Sequence, residues 1–292
     1  MEALIRIGMI LTMSVLPAQL WAGDIFQCAQ GDKVIFTDNR YACPLASVNS
    51  VAVKPQTLRV ERRLLDNVPD LNQYRDDDVF PARGKKFCAP VAVSNSLSAA
   101  RGGLESAQQV ELARLLGSED FMSTGDAGTS PQKLMDGVAR YLESTHEQGA
   151  LSYKGNRKVS GRYNPERTAE VSPEWLMAGI EQKQHIWLNI GWYQRLSNGE
   201  LVRKGGHWVT LVGYERFGSG ADGVKDSLLI NDPATQLEAS EVINYQPVGQ
   251  QVVRNKQGKV KYLNDVIALT DGLNKPANAD MAILDGAVRL AL

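Results

Sequence analysis

The chain has 292 residues, 43% of them hydrophobic and 22% charged, and a formal net charge of −1. That balance excludes a protein that holds nucleic acid by bulk positive charge, and no polybasic stretch argues for an anionic membrane surface. The length supports one sizeable domain with a small appendage.

Residues 1–22 read as a signal peptide. Arg6 supplies the basic start, residues 7–16 the apolar run, and Ala22 the small residue at the cut. A run of about 10 residues is half of what a bilayer-spanning helix needs. No other segment is apolar enough to cross a membrane, so the mature chain is expected in the periplasm or outside the cell with no membrane span.

Residues 23–50 hold two β-rich runs, 24–28 and 33–38, around a Gln30-Gly31-Asp32 turn. A hairpin this small buries little by itself. Cys28 and Cys43 can pair and staple it, which leaves Cys88 as the odd cysteine of an exported chain. Residues 51–70 read as a linker with one short helix at 60–65.

The main domain is expected over 71–292. Helices are predicted at 87–99, with Pro90 in the first turn, and at 106–116 and 131–142 from their apolar spacing. Another opens at Ser172-Pro173, an N-cap followed by proline. Strands are predicted at 185–193, 207–214, 227–230, 242–245 and 262–269, all short and rich in Ile, Val and Tyr. Helices first and strands afterwards indicate an α+β domain, with N-terminal helices packed on a C-terminal antiparallel sheet. Trp187, Trp192, Tyr193 and Trp208 either fill its core, the preferred reading, or line a cleft.

Cys88 opens the first of those helices, where a thiol can lose its proton. A cysteine nucleophile needs a base, an orienter for the base and a donor for the oxyanion. Of the three histidines, His146 follows a helix and reads as solvated, and His185 reads as a strand end. His207 follows Gly205-Gly206 and begins a strand, which makes it the base. Asp232, in Asn231-Asp232-Pro233 after an apolar strand, is the orienter, with Asn231 as the alternative. No ligand-spaced histidine cluster suggests zinc, and no glycine-rich phosphate loop suggests a nucleotide. No cofactor is expected.

Cys88-Ala89-Pro90 at a helix start, Gly206-His207-Trp208-Val209 at a strand and Asn231-Asp232-Pro233 after the next strand resemble papain-like cysteine peptidases. The nearest likeness is to the bacterial peptidases that remove double-glycine leaders and their free-standing relatives. The resemblance covers residues 71–269 and implies a papain-like fold, a peptide or protein substrate, and Cys88, His207 and Asp232 as nucleophile, base and orienter. The family has glycine after the cysteine, where this chain has Ala89, and an oxyanion glutamine shortly before it. The nearest upstream is Gln73, with 76–78 and 81–84 as an intervening loop. Residues 23–50 also resemble a small domain of unknown function that opens many exported bacterial proteins, which implies an appendage rather than chemistry. Two other functions fit the same residues: a transglutaminase-like acyl transferase and an inactive peptidase-like binding module.

Overall fold

A computed structural model of the chain describes residues 26–30, 33–37, 59–75, 78–167, 170–219, 223–235, 240–255 and 258–292. The signal peptide and the Cys28–Cys43 pairing lie outside the described residues. The chain divides into two compact units, Met1–Gln56 and Thr57–Leu292. In the first, β1 (Phe26–Gln30) and β2 (Lys33–Thr37) pair antiparallel, with Cys28 opposite Ile35.

The second unit carries the expected helices, α1 (Cys88–Ala100), α2 (Ser106–Gly117), α3 (Pro131–Ser144) and α4 (Pro173–Glu181). Their starts follow local chemistry. Ser130 and Ser172 each accept a first-turn N–H, and each is followed by proline at the first helical position. The 60–65 helix is not formed. Residues 59–64 are β3 (Arg59–Leu64), an extended partner of the sheet.

The sheet is where the sequence-based fold fails. It comprises β3, β4 (Ala150–Gly155), β5 (His185–Arg195), β6 (Leu201–Ser219), β7 (Gly223–Asn231), β8 (Glu241–Arg254), β9 (Val260–Asp271) and β10 (Met281–Ala291). Strands β5 to β10 close on themselves as a six-stranded, essentially antiparallel barrel, with β3 and β4 added at its margins. This is not the papain-like arrangement of helices laid on an open sheet. Two features unread in the sequence cause it. First, β6 runs through Gly205-Gly206 instead of starting at His207, and at 19 residues it outreaches any single neighbour. Its first half pairs with β5, its second with β7 and β3, and its first two residues lie parallel to β8. Second, β10 bridges β5 and β9 and completes the ring. Bulges at Trp192/Tyr193, Leu211/Gly213 and Leu284/Gly286 supply the bending that closure needs.

Alternation along β5 and β6 divides the core. Trp187 and Trp208 pack with α1 and α3, whereas Ile186, Leu188, Ile190, Val209 and Leu211 join a second cluster with α4. Helix α1 is buried along most of its length, and its polar residues are bonded inward. Ser96 Oγ accepts the Trp187 indole N–H at 3.0 Å, and Ser98 Oγ accepts the Leu104 N–H at 2.8 Å. A helix enclosed in this way holds its first residue in a fixed place.

Candidate active site

That first residue is Cys88, buried and unpaired. The turn Pro81–Gly84 leads into it, and Phe87 N–H donates to the Gly84 carbonyl at 2.9 Å. No side chain caps the first turn of α1 and no acid stands in it. The positive end of the helix is therefore left for the thiol or for an oxygen brought to it.

The Thr210 hydroxyl on β6 donates to the Ala92 carbonyl on α1 at 2.8 Å. This bond fixes helix against strand. One turn back from Ala92 stands Cys88, three residues back from Thr210 stands His207, and the sulfur acts electrostatically on the imidazole. His207 Nε2–H donates to Asp232 Oδ1 at 2.5 Å, which leaves Nδ1 for the sulfur. Asp232 directly follows β7, and its Oδ1 also accepts the Ala234 N–H at 2.8 Å. Trp192 lies nearly parallel to the imidazole, with ring centroids 6.2 Å apart.

Burial alone would lower the basicity of His207. The Asp232 charge and hydrogen bond, with a smaller contribution from Cys88, overcome it and push the imidazole up to about 10. Burial alone would likewise raise the Asp232 carboxyl, but the facing His207 holds it below its usual range. Both groups thus favour the imidazolium–carboxylate pair.

The other candidates separate cleanly. Asn231 is not an orienter: Nδ2 donates to the Val68 and Pro69 carbonyls at 3.0 Å each, and Oδ1 accepts the Ser240 hydroxyl at 2.9 Å. His146 is exposed after α3, and His185 begins β5 with burial lowering its basicity. Gln73 is drawn to the site despite its distance in sequence. Its N–H donates to the Pro233 carbonyl at 2.7 Å, and its side-chain Nε2 donates to the Gly84 carbonyl at 2.9 Å. A Cβ on Gly84, where φ is +77°, would fall 1.6 Å from the Gln73 carbonyl oxygen, so only glycine admits this approach. Gln73 therefore touches both the turn after Asp232 and the segment leading to Cys88. Among the described residues, no group of His, Cys, Asp and Glu is placed to hold a metal ion.

Sequence reasoning missed Thr210, which has no signal beyond its place in a strand. Trp192 lies in the core as expected and also stacks on the imidazole.

A cysteine at a helix head and a buried imidazole bonded to a carboxylate are the features expected of cysteine-peptidase-like proteins. Residues 65–263 match the model of the Peptidase_C39 like family, and the chain belongs to that family. The match contains Gln73, Cys88, His207 and Asp232 and stops before β10. A comparison with curated proteins found no match.

Proposed function

We propose that the protein hydrolyses peptide or amide bonds, with Cys88 as nucleophile, His207 as base and Asp232 as orienter. The observation that carries this reading is the buried His207–Asp232 hydrogen bond, with the sulfur at the head of α1 acting electrostatically on the same imidazole. His207 takes the thiol proton and Cys88 Sγ adds to the carbonyl carbon. The oxyanion is received by the Cys88 N–H and the second N–H of Gln73 Nε2. The tetrahedral species expels the amine, which takes its proton from His207, and leaves a thioester. Water then gives its proton to His207, adds to the thioester and frees the acid and the thiol.

The test is digestion of a mixed peptide pool by wild type and Cys88→Ala, read as new N-termini. Wild type alone should produce them. Equal cleavage by both, or none by either, rejects the proposal. Peptides ending a leader with two glycines are the first to include, given the likeness to leader-processing peptidases. Trapping of the thioester by an added amine would show an acyl transferase instead. Gln73→Ala should lower kcat by about 10²-fold, the typical loss of one oxyanion donor.

One observation favours a second reading, a peptidase-like binding module: the Gln73 amide is engaged by the Gly84 carbonyl. Peptide retention without cleavage would support it. Export is also a proposal, resting on residues 1–22, and the N-terminal residue of the mature chain tests it.

A further inference from the structure

Asp70 stands out because both its carboxylate oxygens are buried and neither has a hydrogen-bond partner. Buried polar groups are almost always paired, and an isolated buried charge is costly. Its neighbours on both sides are firmly held. The Pro69 carbonyl accepts from Asn231, next to Asp232, and the Leu71 N–H donates to Asn95 Oδ1 on α1 at 3.1 Å. Two residues on, the Gln73 N–H holds the Pro233 carbonyl. Residues 68–75 thus form a strap across the Asp232 end of the site, with the Asp70 carboxyl buried beneath its backbone.

The groups that face Asp70 carry the same sign. Asp232 faces it from the end of β7 and Glu241 from the start of β8. Glu241 is held by the Thr235 hydroxyl, and Asp232 by His207 and the Ala234 N–H. Beyond them stand His207 on β6, which acts on Asp232 and Glu241, and Cys88 on α1 and Tyr74 of the strap itself. Three carboxyl groups meet one imidazole, and Asp70 is the one that no donor stabilises.

We propose that Asp70 is a positioning residue: protonated, it lets the strap close on the Asp232 end of the site, and ionised, it drives the strap away. Burial first, then Asp232 and Glu241, push its carboxyl up to about 7, so the change falls near neutrality. Opening would carry off Gln73 and the support of Pro233. The inference builds on the reading of Cys88, His207 and Asp232 as the site, but its test does not need turnover.

The test is amide hydrogen exchange of residues 68–75 in the full chain at about pH 6 and about pH 8.5, corrected for the intrinsic rate, in wild type and Asp70→Asn. Protection of Leu71 and Gln73 should fall about tenfold in wild type across that step and stay level in the variant. Level protection in wild type, or an equal fall in both proteins, overturns the proposal. Should Asp70→Asn fail to fold, wild type decides by itself, because a closed strap at the higher pH contradicts the inference. As a second readout, kcat/KM of wild type should drop on the alkaline side more steeply than that of Asp70→Asn. An inactive Cys88 would sink the proposed hydrolysis and leave the exchange result standing.

Discussion

Replacing His207 with alanine is expected to lower peptide hydrolysis by about 10³-fold or more, because the imidazole that acts on Cys88 is lost. The thiol would keep its place at the head of α1, since Thr210 and Ala92 hold it there. The variant also strands Asp232, a buried carboxylate left with the Ala234 N–H as its remaining donor. Stability should therefore fall as well, and the sign of its pH dependence follows from the raised imidazole. The imidazolium contribution is complete below the ordinary value of 6.5 and fades as the pH climbs through about 10. The difference in unfolding free energy between wild type and His207→Ala should accordingly shrink toward alkaline pH. Adding Asp232→Asn removes the stranded charge. The double variant should be more stable than His207→Ala and no less active, since residues that act as a unit are not additive. Steady-state kinetics and urea titration of the three variants check both parts. Activity within about tenfold of wild type in His207→Ala would remove it as the base.

The second large effect concerns stability. Asp285 is fully buried at the β10 bulge. Its Oδ1 accepts the Tyr193 hydroxyl at 2.7 Å and the Asn156 amide at 3.1 Å, and its Oδ2 accepts Arg203 Nε at 2.7 Å. Burial and this carboxylate hold the Tyr193 hydroxyl protonated far beyond its usual range. Gly191 is glycine for the same reason, because a Cβ there would stand 2.5 Å from Asp285 Oδ2. Asp285→Ala leaves three donors without an acceptor and should cost about 3–5 kcal/mol, read as a lower urea midpoint. Asp285→Asn, which keeps the shape and an acceptor, should cost less. The cluster also bears on the site. The Arg203 guanidinium lies against Gly206, where a Cβ would meet it at 2.3 Å, and Gly206 precedes His207. A loss below about 1 kcal/mol in Asp285→Ala would mean that the barrel does not depend on this network.

Much of the candidate site was legible because each residue announced itself locally. Cys88 stood at a helix start with proline behind it, His207 after two glycines, and Asp232 between a strand and a proline. Their meeting is a long-range fact, fixed by the Thr210–Ala92 bond and by burial of α1. Gln73 was legible only by elimination, since its approach depends on Gly84 lying against its backbone. The first three helices were read to within about two residues, and the start of the fourth was read, because caps and apolar spacing are local. The barrel was not. Its closure rests on how far β6 extends and on the late strand β10, and the two glycines of β6 looked like a boundary. Glycines inside a strand mark close approach as often as an end, and here Gly206 makes room for Arg203. Asp70 was invisible in the sequence because an acid is unusual only once its surroundings are known.

The most direct measurement is the rate at which iodoacetamide alkylates Cys88, followed by mass spectrometry from about pH 5 to about pH 9 in wild type and His207→Ala. If thiol and imidazole share one proton against Asp232, wild type should react fast at the acidic end and change little with pH across that range. His207→Ala should react slowly there and speed up as the pH rises. Identical pH profiles for the two proteins would contradict the account, because His207 would then do nothing to the sulfur.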